Sequence, residues 1–281
     1  MKIGNLKLKN RFLLAPMLEP NDIAFRLLCK KAGCGLTYTG MVSPLSKHKM
    51  NLDDKPAVQL FGNNTRGISS FIKKYNSKVS LWDFNLGCPS KLSRRLRHGA
   101  FMHEDLDSIG NILKTIRAAT KKPVTIKLRK SDKAIEIAKM AEKIGIDAIG
   151  IHARTFGQGY GGDVDYDFAL KLKKTVSVPI IFSGNVNEDN ADKILKDFDF
   201  VFIGRAAIGD PGVFARLTGK NSNVGFMDYI KLAKKYSLFF RQMKFQAMNF
   251  TKGLKNAKAL RFGLIGSKSV SEIEKVMGKN K

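Results

Sequence analysis

The chain has 281 residues, 43% of them apolar, so it is long enough for one large α/β domain with a small appendage, and its composition excludes a disordered chain. Its 50 Lys and Arg side chains outnumber its 24 Asp and Glu side chains by 26, which indicates a polyanion-binding protein, with nucleic acid as the first candidate partner. It has no apolar run of about 18 residues and no secretory signal. Its three cysteines lack C-x-x-C spacing. We therefore expect a cytoplasmic protein with reduced thiols, no membrane span and no metal site.

Short, β-branched apolar runs alternate with segments of helical periodicity through most of the chain. The helical segments include residues 68–75, 109–119, 134–144 and 190–195. Eight runs are predicted as strands: residues 12–15, 36–39, 57–61, 81–85, 124–128, 148–152, 180–183 and 200–203. Such alternation requires a parallel sheet, and eight repeats in about 210 residues match a closed (β/α)8 TIM barrel. We predict this barrel for residues 1–212, with a doubly wound open sheet as the alternative.

Only helical patterns follow Asp210-Pro211-Gly212, at about residues 227–241, 244–255 and 270–277. Residues 213–281 are therefore predicted to form a small helical domain. They carry 15 Lys and Arg against three acidic side chains, an excess of 12 that makes this the most basic part of the chain. A generally Lys-rich composition is the alternative explanation for the charge.

Polar or unusual residues follow seven of the eight predicted strands, where a barrel of this kind carries its chemistry. Lys127 interrupts the apolar strand Val124-Thr125-Ile126, so its charge needs an anionic or electron-rich partner at the barrel mouth, such as a flavin ring. On its own, Lys127 would be read as a surface lysine of a Lys-rich protein.

Two glycine-containing segments, Ser183-Gly184-Asn185 and Ile203-Gly204-Arg205, end the seventh and eighth strands. Barrels commonly bind phosphate there through backbone N–H groups and close glycine approach, so the pair predicts a cofactor phosphate site. Gly266-Ser267-Lys268-Ser269 is not interpreted as a phosphate loop, because no strand precedes it.

Cys88 lies in the loop directly after the fourth strand, within Asn85-Leu86-Gly87-Cys88-Pro89, where a thiol can be exposed and rigidly placed. Cys29 and Cys34 are expected to be buried and inert. A glycine-rich loop containing Tyr160 follows the sixth strand and can close over a ligand. The other three histidines, His48, His98 and His103, are expected to face solvent or RNA and to carry no chemistry.

Six blocks resemble the dihydrouridine synthase family, in the correct order across about residues 10–212. They are Ala15-Pro16-Met17, Val58-Gln59-Leu60-Phe61-Gly62, Asn85-Leu86-Gly87-Cys88-Pro89, Ile126-Lys127-Leu128-Arg129, His152-Ala153-Arg154-Thr155 and Ile203-Gly204-Arg205. The helical tail also fits that family. Departures are Ser183, where the family often has Asn, and Asp165-Tyr166, where it often has Asp-Trp.

The resemblance implies a flavin-dependent oxidoreductase in which NADPH reduces FMN, a hydride passes to carbon 6 of a tRNA uracil, and Cys88 protonates carbon 5. Pro16 and Met17 would support the flavin ring, Gln59 and Lys127 would bind its pyrimidine edge, and Asn85 would lie on the substrate side. The ribityl-phosphate end is expected at His152, Ser183, Gly184, Asn185, Gly204 and Arg205.

The expected contacts to tRNA are basic residues that follow Cys88, that follow the sixth strand, or that lie in the tail. They are Lys91, Arg94, Arg95, Arg97, Arg154, Lys252, Lys255 and Arg261. We expect a monomer with no obligatory protein partner. Two alternatives stay open: a small-molecule flavin barrel of the dihydroorotate dehydrogenase type, and a basic RNA-binding barrel that has lost catalysis.

Overall fold

The N-terminus forms a short hairpin that closes one end of the molecule. A computed structural model describes residues 1–278. Strands β1 (Lys2–Ile3) and β2 (Leu6–Lys7) pair antiparallel around Gly4, whose φ of 53° suits glycine. Ile3 is fully buried and packs with residues inside the main sheet, so the hairpin covers the amino-terminal ends of its strands.

Eight parallel strands form a closed barrel, as the sequence predicts. They are β3 (Phe12–Leu14), β4 (Tyr38–Val42), β5 (Ala57–Leu60), β6 (Leu81–Leu86), β7 (Val124–Arg129), β8 (Ala148–His152), β9 (Ile180–Ser183) and β10 (Phe200–Ile203). β10 pairs with β3, and the ring closes through hydrogen bonds from Leu14 N to Leu36 O (2.9 Å) and from Gly35 N to Phe12 O (2.9 Å). This closure excludes the doubly wound open sheet.

Helices surround the barrel: α1 (Ile23–Lys31), α2 (Ile68–Tyr75), α3 (Lys91–Arg95), α4 (Leu106–Ala119), α5 (Ala134–Ile144), α6 (Tyr166–Thr175), α7 (Ala191–Ile194) and α8 (Val213–Thr218). Four of them begin at a side chain that accepts a hydrogen bond from the backbone N–H three residues later, which satisfies a free donor of the first turn. These capping residues are Asp22, Ser90, Asp105 and Asp165.

The barrel interior is apolar near the amino-terminal ends of the strands and polar near their carboxyl ends. Side chains such as Leu13, Tyr38 and Phe202 fill its amino-terminal half. Gln59 and Asp83 are also buried, nearer the carboxyl ends of their strands. Alternation along each strand produces this arrangement, because every second side chain points inward. The polar layer therefore forms the floor of the carboxyl-terminal mouth.

Four helices follow α8 within residues 1–278 and make up the tail: α9 (Phe226–Lys235), α10 (Phe240–Phe250), α11 (Ala257–Gly266) and α12 (Val270–Gly278). The single helix predicted at 227–241 is wrong, because Ser237 adopts a left-handed φ of 50° between α9 and α10. The helix predicted at 244–255 ends early at Phe250, and Gly253 follows with a φ of 77°. The prediction missed α11, whereas the last helix is confirmed.

The tail packs directly on the barrel. Helix α9 lies against α1, and Gln246 of α10 donates a hydrogen bond to the Asp22 carboxylate (2.8 Å). Tyr229 and Phe250 belong to the same buried cluster as the barrel helices. Within residues 1–278, no helix combines the length and the apolar character needed to cross a membrane.

Candidate active site

The residues singled out at the strand ends converge on one mouth of the barrel. Gln59, Asn85, Lys127 and His152 lie near the carboxyl ends of β5 to β8, and neighbouring strands place Asn85 opposite Lys127. Ser183 pairs with His152 across β8 and β9. Pro16, Met17, Gly184, Asn185, Gly204 and Arg205 follow β3, β9 and β10 at the same end. The structure thus brings all of these predicted residues to one end of the barrel.

A network of buried amides forms the floor beneath Cys88. The Gln59 Nε2 group donates to the Asp83 carboxylate (2.6 Å), and Asn85 Nδ2 donates to Gln59 Oε1 (2.7 Å). Asn85 Oδ1 then accepts the backbone N–H groups of Gly87 (3.2 Å) and Cys88 (3.0 Å). Hydrogen bonds therefore connect the barrel interior to the loop that carries the thiol.

Cys88 is half-buried and its backbone is held from two sides. Asn85 binds its N–H group, and its carbonyl oxygen accepts from Ala100 N (3.2 Å). Gly99 has a φ of 65°, and a Cβ there would lie 2.8 Å from the Cys88 carbonyl oxygen, so this close approach requires glycine. Cys29 and Cys34 are buried as expected, and burial raises the pKa of each thiol.

Lys127 points a cation into the mouth without a protein partner. It forms no hydrogen bond or ion pair with any residue in 1–278, and burial lowers its pKa to about 8. The charge of Arg129 lowers that pKa further, whereas Asp83 and Cys88 act in the opposite direction. A partly buried ammonium whose donors have no partner among residues 1–278 is suited to a ligand that presents acceptor atoms.

A second group of cations surrounds His152. Arg129 Nη2 lies 3.2 Å from His152 Nδ1, and Arg154 Nη1 lies 2.9 Å from His152 Nε2. Guanidinium groups only donate and a neutral imidazole has one acceptor nitrogen, so His152 accepts from one of the two arginines. Burial and the charges of Lys127 and the neighbouring arginines lower the pKa of His152 to about 2, which keeps the ring neutral. Arg205, nearby, donates to the Asn185 side chain. No carboxylate of residues 1–278 forms an ion pair with Arg129, Arg154 or Arg205.

The glycine-rich loop after β8 is folded onto these arginines. Arg129 donates to the carbonyl oxygens of Thr155 (2.9 Å) and Gly159 (2.8 Å), and Arg154 donates to Gly162 (2.7 Å). The exposed ring of Tyr160 lies 5.7 Å from the Arg129 guanidinium and 5.9 Å from that of Arg205. Arg154 is fully buried, which does not fit the expected contact to nucleic acid.

The remaining basic candidates are exposed. Lys91, Arg94, Arg95 and Arg97 lie on α3 and the turn after it, directly beyond Cys88. Lys252 and Lys255 lie in the turn between α10 and α11, and Arg261 lies on α11. Within residues 1–278 there is no cluster of His, Cys, Asp or Glu that could hold a metal ion.

Two histidine expectations are wrong. His103 is buried, and its ring nitrogens contact Ser131 Oγ (2.6 Å) and the Leu86 carbonyl oxygen (2.6 Å). His98 is also buried and packs on Phe61, with ring centroids 4.6 Å apart. Both residues lie in the segment that folds back over β6, so a polar local sequence does not make them solvent-facing.

The sequence interpretation also missed Asp83, Thr125 and Arg129, because it considered chiefly residues beyond each strand. The alternation of side chains along a strand could have identified two of them. Asp83 lies two residues before Asn85, and Thr125 lies two residues before Lys127, so each pair points to the inside of the barrel.

Comparisons with known proteins agree with this geometry. Residues 13–261 match the family model described as dihydrouridine synthase. The chain is 32% identical to tRNA-dihydrouridine synthase B of Klebsiella pneumoniae and 33% identical to that of Pectobacterium carotovorum, covering in each case 77% of this chain and 74% of the relative. An old yellow enzyme homologue of Zymomonas mobilis shares the fold, with a TM-score of 0.55, 11% identity and coverage of 82% of this chain and 94% of that one. These matches confirm the resemblance carried by the six sequence blocks and, with it, the class of flavin-dependent oxidoreductase: the chain belongs to the dihydrouridine synthase family.

Proposed function

We propose that this protein reduces the C5=C6 double bond of uridines in tRNA, with FMN bound across the barrel mouth and NADPH as the reductant. The observation that carries the proposal is the convergence of Cys88, Lys127 and the Gln59–Asn85 amide pair in one mouth, beside a cluster of arginines that form no ion pair with a described carboxylate. Family membership supports the same reaction.

The residues present fit the ring of FMN. Lys127 offers an ammonium with no hydrogen bond to residues 1–278, and Gln59 lies on the floor below. Pro16 and Met17 border the mouth on the β3 side. Gly204 has room for a Cβ, because that atom would meet only Ala15 Cβ at 3.5 Å and Met17 Sδ at 3.8 Å. The protein itself does not require glycine there, which favours a ligand close to this backbone.

The residues after β8, β9 and β10 fit the ribityl phosphate. Arg154 and Arg205 supply positive charge, and Asn185 is in contact with Arg205. Gly184 has a φ of 131°, and a Cβ there would lie 2.3 Å from Val164 Cγ1, so the chain passes close to its neighbours at this point. Ser183 lies buried beside His152 and completes this side of the site. We reassign Arg154 from the RNA to the cofactor side, because it is buried.

FMN held by these residues would accept a hydride from NADPH and would supply one for carbon 6 of the uracil. Cys88 then donates its proton to carbon 5, which leaves a thiolate. Lys127 and Arg129 both interact electrostatically with Cys88, so the two cations lie close to the thiol at the mouth. Asn85 positions the Cys88 backbone for this step.

The RNA would approach over α3. Four exposed basic side chains on α3 and its following turn border the thiol, and the target base must leave its stack to enter the mouth. The tail residues Lys252, Lys255 and Arg261 would contact the phosphate backbone of the RNA at a greater distance from the target base. A small-molecule substrate has no use for these two basic surfaces.

The decisive experiment is to incubate tRNA lacking dihydrouridine with the purified protein, FMN and NADPH, and to map the modified positions by mass spectrometry. We expect dihydrouridine at defined positions, and far slower formation with Cys88→Ala. Orotate and free uridine serve as competing substrates in parallel reactions. Reduction of either, with unmodified tRNA, would overturn the proposal and favour a small-molecule flavin barrel.

A further inference from the structure

We infer that Asp83 is a positioning residue that fixes the orientation of the Gln59 and Asn85 amides and, through them, the backbone of Cys88. This inference rests on the proposed function only for its effect on turnover. It concerns a carboxyl group that does not itself reach the mouth, since Asp83 is 1% exposed and lies two residues below Asn85 on β6.

The first step is the state of the carboxyl group. One oxygen accepts from Gln59 Nε2 at 2.6 Å, and the other accepts from the Thr125 hydroxyl. Asp83 forms no ion pair with a described residue, although Lys127 lies near enough to affect it electrostatically. Its direct partners are therefore two neutral donors, and it serves as an acceptor on both sides.

The second step is that an acceptor at this position allows only one arrangement of the amides above it. Because Gln59 must turn its NH2 group to the carboxylate, its carbonyl oxygen faces Asn85, which must present its own NH2 group at 2.7 Å. The Asn85 carbonyl oxygen is then left for the N–H groups of Gly87 and Cys88. Turning either amide by 180° would set donor against donor or acceptor against acceptor.

The third step is what this orientation does at the mouth. The Asn85 carbonyl oxygen accepts from the N–H group of Cys88, so the Cys88 backbone, and with it the thiol, keeps a fixed position relative to the buried amides. The same orientation also decides which face of the Gln59 and Asn85 amides remains for a flavin or a uracil. Side chains that hold functional groups in place commonly act in this way, through partners beneath them.

Two substitutions separate the acceptor role from the charge. Asp83→Asn removes the charge but keeps a carbonyl oxygen for Gln59, while its NH2 group can face the Thr125 hydroxyl, which accepts as well as donates. Asp83→Leu has a similar shape but offers no acceptor. Phe84→Leu is the matched core control, because Phe84 is equally buried on the same strand and packs outward among the helices.

The first measurement is alkylation of Cys88 by iodoacetamide, followed by mass spectrometry in the holoenzyme. Cys29 and Cys34 are buried and serve as internal references. We expect Asp83→Leu to raise the Cys88 rate about 3-fold to 10-fold, because the loop loses a fixed contact. Asp83→Asn and Phe84→Leu should stay near the wild-type rate.

The second measurement is tRNA reduction. Asp83→Leu should lower kcat by about 10-fold to 100-fold, as expected for a buried donor left unpaired at a site, with Asp83→Asn within about 3-fold of wild type. Equal damage by Asn and Leu would overturn the inference in favour of a charge effect, and so would a wild-type alkylation rate in Asp83→Leu. If Asp83→Leu does not fold, Gln59→Met breaks the same connection one residue higher, and a wild-type alkylation rate there would overturn the inference.

The alkylation result does not depend on tRNA. The expected alkylation pattern together with no tRNA reduction by the wild-type protein would support the positioning role and reject the proposed function.

Discussion

Cys88 and Cys34 show how position decides what a thiol can do. Cys34 is buried, hydrogen-bonds the Leu36 carbonyl oxygen at 3.1 Å, and burial raises its pKa to about 12. Cys88 is half-buried at the mouth, with its backbone fixed by Asn85 and Ala100. The two residues therefore form a natural pair of test and control.

We expect Cys88→Ala to bind FMN and to oxidise NADPH at near-normal rates, but to reduce tRNA about 100-fold to 10,000-fold more slowly, because only the second half-reaction needs the proton. Stopped-flow measurement of both half-reactions would show the separation. Cys34→Ala should lose some stability through a cavity while keeping turnover. Near-normal dihydrouridine formation by Cys88→Ala would end the assignment of this residue as the proton donor.

The raised pKa of Asp83 predicts how the free energy of unfolding depends on pH. Its pKa is raised from 3.8 to about 6, chiefly by burial, so the folded chain binds this proton more tightly than the unfolded chain. The destabilising cost of ionising Asp83 is therefore absent below about pH 4 and fully present above about pH 6. We expect Asp83→Asn to be more stable than wild type at pH 7 by about 1 to 3 kcal/mol. Urea unfolding should show this difference shrinking as the pH falls from 6 to 4; a constant difference would contradict it.

Single residues were predictable from the sequence where local context decides their surroundings. Lys127 interrupts an apolar strand and Cys88 directly follows a strand, and both positions predict a place at the mouth of the barrel. The burial of His98 and His103 was not predictable, because it depends on how their own segment folds back over β6. The role of Asp83 requires knowing which amides face it across β5 and β6.

At the scale of elements, the strands were easier to predict than the tail helices. The eight runs are short, apolar and β-branched, and the barrel requires each one. The run at residues 36–39 marks the right strand, but β4 itself runs from Tyr38 to Val42, and its pairing with β5 shifts register between Tyr38 and Met41. Helix α11 was missed because Gly263 and Gly266 weaken its helical signal and Phe262 is 81% exposed.

Helix α3 is the element whose charge should affect RNA binding most directly. We expect the double variant Arg94→Ala/Arg95→Ala to weaken tRNA binding and to reduce the slope of log affinity against log salt by up to about 2. Its flavin spectrum should not change. The matched control is Lys171→Ala/Lys174→Ala on the exposed side of α6, near the opposite end of the barrel. Equal loss of affinity in both variants would mean that net charge, not this helix, is responsible.

At the scale of the whole molecule, the tail shares one buried core with the barrel. Tyr229 and Ile230 of α9 are buried in the cluster that also contains Phe25 and Leu28 of α1. Deleting residues after Gly212 would expose this apolar surface. We therefore expect the truncated protein to be unstable, so truncation is a poor test of which part binds RNA.

Charge variants test the tail without disturbing that core. We expect Lys252→Ala/Lys255→Ala/Arg261→Ala to retain FMN and melting temperature, since all three side chains are exposed. Its tRNA affinity should fall, with a salt slope reduced by up to about 3. Filter binding between about 50 and 200 mM salt would measure this slope. An unchanged slope would assign the RNA contacts to the barrel alone.

The cations around His152 should make the folding of newly synthesised chains depend on a bound anion. Four cations lie around the one neutral imidazole of His152: Lys127, Arg129, Arg154 and Arg205. None of them forms an ion pair with a described carboxylate. Until an anion arrives, their mutual repulsion opposes folding, and a bound phosphate group replaces that repulsion with attraction. Vitamin supply would then influence protein abundance. In riboflavin-starved cells newly synthesised chains should be degraded faster, whereas an Arg205→Gln chain, relieved of one charge, should depend less on the vitamin.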